Sequence, residues 1–262
     1  MPKIHALALV DPAAELASDV EVGPFCVIEK DVVIGAGCTL DSHVVIKSGT
    51  RIGEKNHILP GAILGAEPQD RKFEGETSYL RIGDRNIIRE FVTLHRANGE
   101  GQATILGNDN YIMAYVHVGH NGLVGNLVTI ANGTNLAGSV TVEDRVTIGG
   151  MAAVHQFCRV GYLAMVGGFT RIVRDVPPYM LVEGEKQEVR DINAVGLRRL
   201  GITPATRMAL HKACKLLFKS QLGLTNAIKI VQREVEVTPE VQYLIDFELH
   251  RFNGKNGRGN QP

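Results

Sequence analysis

The chain has 262 residues, and its 28 Lys and Arg balance 28 Asp and Glu to a formal net charge of zero at pH 7. Charge neutrality, the absence of tryptophan and an aromatic content of 5% leave no basic, base-stacking surface, which argues against nucleic acid as a partner. No apolar run is long enough to span a bilayer, and the first residues lack the basic and apolar regions of a secretory signal, so a cytoplasmic protein without a transmembrane segment is expected.

From Ile4 onward every sixth residue is aliphatic: Val10, Leu16, Val22, Ile28, Ile34, Leu40, Ile46, Ile52, Ile58 and Leu64. The rhythm resumes at Ile82, Ile88 and Leu94, then runs unbroken from Leu106 to Ile172. A period of six fits neither a helix nor a strand alone; it is the spacing of hexapeptide repeats wound into a parallel β-helix. Small residues two positions earlier, among them Val20, Cys26, Cys38, Val140, Ala152 and Cys158, complete a narrow, close-packed interior. Three hexads make one triangular coil, so residues eighteen apart stack at about 4.8 Å per coil. Coils of this kind are left-handed, against the usual crossover rule. Glycines that follow the aliphatic residue, such as Gly35, Gly53, Gly83 and Gly107, are expected to supply the unusual φ at each corner. With Cys26, Cys38 and Cys158 in interior slots and Cys214 on a helix, disulfides and a cysteine zinc site are not expected.

Two polar stretches, 65–81 and 97–104, interrupt the count and read as loops projecting from one face. The repeat stops near Val176-Pro177-Pro178. Asp191 is the expected cap of a short helix ending before Gly201. Thr203-Pro204 opens a helix to about Ser220 with a basic side of Arg207, Lys212, Lys215 and Lys219. Two more helices follow, from Thr225 to about Val235 and from Thr238-Pro239 to about Phe252. The organisation expected is a left-handed β-helix over 1–190, a small α-helical domain over 191–252 and a disordered tail over 253–262.

His120 lies two residues past its aliphatic position, where a side chain points outward, and eighteen-residue steps lead to Gly138 and then Gln156. An imidazole beside a backbone N–H one coil away suits a general base next to an oxyanion donor. A surface histidine without a role fits the same position, and His95, His117 and His155 admit the same plain reading. A three-histidine zinc site, as in trimeric hexapeptide carbonic anhydrases, finds here a close pair only three apart, His117 and His120, and no acidic pattern around it. In the first loop, Gln69-Asp70-Arg71-Lys72 is either a solvated turn or a set of groups for a sugar hydroxyl and a phosphate.

Together these stretches resemble the UDP-N-acetylglucosamine O-acyltransferases, hexapeptide-repeat enzymes that draw on acyl carrier protein and open lipid A synthesis. The resemblance rests on Gln69-Asp70 with Lys72, the run IGDRN, IRE and VTLHR within 82–96, HVGHN at 117–121, GGMAAVHQF at 149–157 and DVPPYM at 175–180, and it covers nearly the whole chain. It implies a homotrimer with active sites between subunits, and transfer of an (R)-3-hydroxyacyl group from acyl carrier protein to the 3-position of UDP-N-acetylglucosamine with no cofactor consumed. His120 then matches the general base and Gly138 the oxyanion N–H. Gln69, Asp70, Lys72 and His117 match groups around the sugar and the acyl 3-hydroxyl, and His95 and Gln156 match further substrate contacts. Asn193, Arg198 and Arg199 fall in the segment that meets the nucleotide, and Gly168 matches the end-stop of an acyl ruler, where glycine leaves room for a longer chain. The basic helix side is the matching landing surface for an acidic carrier protein. Asn121, Ser139, Val195 and Leu200 depart from residues common in the family. That altered polar shell motivates an alternative acceptor, a 3-amino sugar nucleotide; a zinc-dependent or non-catalytic trimer is the alternative from another class.

Overall fold

The computed structural model describes all 262 residues. Strands of mostly two residues end on the repeating aliphatic positions, as in Val27–Ile28, Val33–Ile34 and Thr39–Leu40, through to Arg171–Ile172. Successive strands join three different sheets, of eleven, nine and eight strands, and so form the three faces of a parallel β-helix. The register is Glu21 on Thr39, Val27 on Val45 and Val33 on Arg51, eighteen residues per coil. From Ile28 to Ile172 nearly every aliphatic of the six-residue series is 4% exposed or less, and the small residues two before them fill the remaining space.

The two interruptions are loops, 67–78 and 96–102, that leave from the same edge of the prism, between the nine- and eight-stranded faces. His57 pairs with Ile87, thirty on, and Ile87 with Tyr111, twenty-four on. Relative to a coil of eighteen, the loops therefore add twelve and six residues. Whole hexads are inserted, so the inward phase survives both.

The glycine expectation is corrected. Gly35, Gly53, Gly83 and Gly107 do not have positive φ. The left-handed corner lies two residues further on, and it is mostly not glycine: Phe25, Asp31, His43, Lys55, Arg85, Asp109 and Asn121 all have φ near +60°. The glycines answer a different demand. A Cβ on Gly35 would stand 2.6 Å from Gly53 O, and one on Gly107 2.5 Å from Gly125 O, so they let coils approach. A left-handed L-residue costs roughly 1–2 kcal/mol. Each coil buries three large aliphatic side chains, roughly 1.5–3 kcal/mol apiece, which outweighs its three corners.

Three coils carry asparagine inside. Asn56, Asn86 and Asn110 are at most 2% exposed. Asn56 Oδ1 accepts from Asn86 N–H and Nδ2, both at 2.9 Å, and Asn86 Oδ1 accepts from Asn110 N–H at 2.9 Å. Each amide hands its hydrogen bonds to the next coil, so all three are satisfied inside the prism.

Beyond the repeats, Met180–Glu183 extends the eleven-stranded face and pairs antiparallel with Glu188–Ile192. Helices α1 (Ala194–Arg199), α2 (Pro204–Cys214), α3 (Leu224–Glu234) and α4 (Pro239–Asn253) follow. Asn193, not Asp191, caps α1, its Oδ1 accepting from Gly196 N–H; Asp191 instead pairs with His211 Nδ1 at 2.7 Å. After α2 the chain widens into a π-helical turn over Lys215–Lys219. The helices lock onto the coils through Arg159, which lies 4.7 Å over the Phe247 ring and donates to Tyr243 OH at 3.0 Å. No helix is long and apolar enough to cross a membrane.

The end of the chain departs from the expected disorder. Gly257 O accepts from Asp175 N–H at 2.9 Å, Gly259 N–H donates to Asp175 Oδ2 at 2.7 Å, and Arg258 is 8% exposed. A polar, glycine-rich composition signals disorder only when no fixed group receives the backbone; here the buried Asp175 does.

Candidate active site

His120 sits at the edge between the nine- and eight-stranded faces, immediately after the strand His117–Val118. That strand pairs with Asn135–Leu136, which pairs with Ala153–Val154, so His120, Gly138 and Gln156 lie on successive coils. The His120 ring packs against Gly138 so closely that a Cβ at 138 would overlap Nε2. Gly138 N–H has no acceptor in the chain, although its neighbours Ala137 and Ser139 donate to Val154 O and His120 O.

The ring has one orientation. Its Nδ1 lies 2.8 Å from Asn121 Oδ1, and that oxygen already accepts from Asn98 N–H at 2.9 Å while Asn121 Nδ2 donates to Asn98 O at 3.0 Å. The amide cannot be flipped without breaking both bonds to Asn98, so Oδ1 is fixed as an acceptor and Nδ1 must carry the proton. In the neutral ring Nε2 then holds a free lone pair beside Gly138.

Both loops build this arrangement. Asn98, in the second loop, also donates Nδ2 to Asp70 Oδ2 of the first at 2.8 Å. Gly101 N–H donates to Thr77 O at 2.7 Å, and Arg96 lies 5.2 Å over the Phe73 ring. Asp70 Oδ2 consequently stands 4.0 Å from His120 Nε2. The Lys72 backbone N–H, then the Asn98 amide and the imidazole, hold its carboxyl below the ordinary carboxylate range. A permanent negative charge beside Nε2 favours the imidazolium that forms when the ring takes a proton.

A groove of about 490 Å³ runs past these groups, lined by Gln69, His117, His120, Gly138 and Gln156, and on its far side by His155, Arg171 and Val173. Burial, then the neighbouring His95 and His120, pushes His117 down to about 4, so it is neutral at pH 7. His95 is 7% exposed behind His117, ring centres 5.0 Å apart, with Nδ1 at 2.5 Å from Glu67 O. It reaches the groove through His117 rather than directly. Lys72 is exposed on the first loop, and only its backbone touches Asp70. Gly168 lies on another edge, just ahead of the strand Arg171–Ile172, which is three coils from His117–Val118. The Asn193 amide is consumed by Gly196 N–H and Leu163 O, whereas Arg198 and Arg199 are exposed on α1 outside the groove. Asn98 escaped the sequence reading: an Asn-Gly pair in a loop signals a turn, and its link to Asn121 arises only when the two loops dock. Within the chain no three His, Cys, Asp or Glu side chains gather as metal ligands.

Residues 175–259 match the family model for domain 2 of UDP-N-acetylglucosamine O-acyltransferase, and 13–48 match the bacterial transferase hexapeptide model. The chain is 50% identical to the acyl-[acyl-carrier-protein]–UDP-N-acetylglucosamine O-acyltransferase of Polynucleobacter asymbioticus over 99% of both chains. To that of Thermodesulfovibrio yellowstonii it is 44% identical over 94% of this chain and 96% of the other. The solved UDP-N-acetylglucosamine acyltransferase of Bacteroides fragilis superposes with a TM-score of 0.91 at 40% identity, covering 94% of this chain and 96% of that one. For the Moraxella catarrhalis structure the TM-score is 0.87 at 40% identity, with 93% and 95% covered. With relatives 44–50% identical over nearly the whole chain, the chain belongs to the UDP-N-acetylglucosamine O-acyltransferase family.

Proposed function

We propose that this protein transfers a 3-hydroxyacyl group from acyl carrier protein to the 3-hydroxyl of UDP-N-acetylglucosamine, the first step of lipid A synthesis. The observation that carries this reading is the His120 ring, fixed by Asn121 with its Nε2 lone pair against the unpaired Gly138 N–H. Nε2 takes the proton of the sugar hydroxyl as that oxygen attacks the thioester carbonyl. The oxyanion so formed accepts from Gly138 N–H. Collapse expels the thiolate of the carrier's phosphopantetheine, which receives from the imidazolium the proton that came from the sugar hydroxyl. Asp70 offsets the imidazolium charge that the neutral Asn121 cannot. Gln69, Lys72, His117 and Gln156 are read as substrate contacts, Arg198 and Arg199 as nucleotide contacts from the exposed side of α1, and His95 as the support of His117. Gly168, roughly 13 Å along the axis from His120 at the coil spacing, is read as the end of the acyl channel.

At Asn121 the 3-amino sugar alternative loses its motive, because that residue has a role of its own: it both donates to and accepts from Asn98, which an aspartate cannot do. Removal of the base in His120→Ala is expected to lower kcat by about 10²–10⁴-fold. Gly138→Ala, which pushes a methyl into the imidazole, should do the same with little change in secondary structure. Acyl transfer assays with UDP-N-acetylglucosamine check both, and wild-type rates in His120→Ala would end the proposal.

The working form is read as a trimer. Along the edge between the eleven- and nine-stranded faces the left-handed corners carry Phe25, Phe91, Tyr115, Met151 and Phe169, each between 51% and 79% exposed. Phe91 and Tyr115 stack at 5.1 Å. At the other two edges the same corners are mostly polar, with Asp31, Lys55, Arg85, Asp109, Asn121, Ser139 and Arg145, and Leu127, Phe157 and Leu163 there are spread over both edges. An apolar ridge beside the groove suits a neighbouring subunit that closes it. Exposed Lys212, Lys215 and Lys219 remain the proposed landing surface for the acidic carrier protein, whereas Arg207 is half-buried with Nη1 on Ile202 O at 3.0 Å. Reversing those three lysines should raise KM for the carrier several-fold without changing KM for the sugar nucleotide; an unchanged carrier KM removes the surface.

A further inference from the structure

Behind the far wall of the groove lies a buried cation that the reaction does not use. Arg258, 8% exposed, donates to neutral acceptors: Val173 O at 3.1 Å, Gln261 Oε1 at 2.9 Å and, through Nη1, His155 Nδ1 at 3.1 Å. Arg258 forms no ion pair within the chain, and Asp175, which anchors its segment, is occupied by the backbone N–H groups of Arg159 and Gly259. The segment carrying Arg258 is fixed on both sides, by Asp175 N–H on Gly257 O and by Gly259 N–H on Asp175 Oδ2. Gly254 and Gly259 permit the close path, since a Cβ on either would overlap Arg258 O or the His250 ring. Two groups that Arg258 holds, His155 and Val173, line the groove together with His120.

His155 Nδ1 also lies 3.0 Å from Gln156 O. One ring nitrogen of a neutral imidazole cannot donate to that carbonyl and accept from Arg258 at once. The guanidinium is always charged and has only N–H groups to offer, and a charge-assisted bond is about twice as strong as a neutral one, so Nδ1 is the acceptor. The ring proton is thereby placed on Nε2, on the side away from the Arg258 segment. We propose that Arg258 is a positioning residue that locks His155 in its Nε2–H tautomer, so that the groove presents a hydrogen-bond donor to an acceptor oxygen of the acyl donor. The donor rather than the sugar is implied because His155 follows Val154, on the coils beyond Gly138, whereas Asp70 and both loops flank His120 from the preceding coils. The inference rests on the groove being the acyl-transfer site.

The test uses the full chain with ring-¹⁵N-labelled histidine. Wild type should show His155 protonated at Nε2, and Arg258→Met, which removes every donor, should move the proton to Nδ1 and its Gln156 O partner. Arg258→Met should also raise KM for the acyl-carrier donor by about threefold to tenfold, the worth of one hydrogen bond, with KM for UDP-N-acetylglucosamine unchanged. Arg258→Lys, which keeps a charged donor, should restore both readouts. An Nδ1-protonated His155 in the wild type overturns the inference without any variant, which covers the case of an Arg258→Met chain that does not fold. So does an equal rise of both KM values that Arg258→Lys fails to reverse. The tautomer is read without turnover, so its failure is distinguishable from a failure of the groove assignment, which His120→Ala decides.

Discussion

Asn121 illustrates how a single side chain resolves what the sequence left open. It follows the base where an aspartate is common, and an amide cannot neutralise an imidazolium. In the folded chain the two duties are divided: Asn121 orients the ring, and Asp70, 4.0 Å from Nε2, brings the charge. His117 makes the companion case for burial. Its folded pKa of about 4 lies below the ordinary 6.5, chiefly through desolvation. Between those values the unfolded chain binds more protons than the folded one, so stability rises with pH across the window and is lost on acidification through it. His117→Gln should flatten that acid slope of the thermal midpoint while leaving the curve above pH 7 in place. An acid slope as steep as that of wild type would show that His117 is not the group responsible.

At the scale of the element, the hexad was legible because its inward residues are large, aliphatic and strictly periodic, so pattern alone gives the coil. The corners were misread. Glycine after the aliphatic residue suggested positive φ, but the left-handed residue comes two positions later and carries Lys, Asp, Phe or Arg. The two demands separate experimentally. Gly35→Ala forces a methyl to within 2.6 Å of a backbone oxygen and should cost roughly 1–3 kcal/mol, as overpacking does. Arg145→Gly, at φ 61°, exchanges corner strain for chain entropy and should stay within about 1 kcal/mol of wild type. Urea unfolding at one fixed protein concentration compares them, and a neutral Gly35→Ala would contradict the close-approach account.

For the whole molecule, the docked loops and the Arg258 segment both bear on one groove, and the apolar ridge lies along the neighbouring edge. Glutamates at Tyr115 and Phe169, which are 63% and 79% exposed in the single chain, would bring like charges together in a trimer that buries them. The double variant should sediment as smaller species at micromolar concentration and lose acyl transfer with its coils intact by circular dichroism. A persistent trimer with full activity would place the subunit contact elsewhere.

The sequence by itself determined the coil, its eighteen-residue stacking and hence the column of His120, Gly138 and Gln156, because all three depend on a local periodicity that nothing distant can alter. Whole-hexad insertions preserved that phase, so the count stayed valid across both breaks. Only the tertiary structure decided the tautomer of His120, the place of Asp70 and the docking of Arg258. Each rests on hydrogen bonds between residues 23 to 103 apart in the chain, Asn98 with Asn121 and Asp70, and Arg258 with His155. Such bonds leave no periodic trace, because they are set by where loops and chain end come to rest on a finished prism.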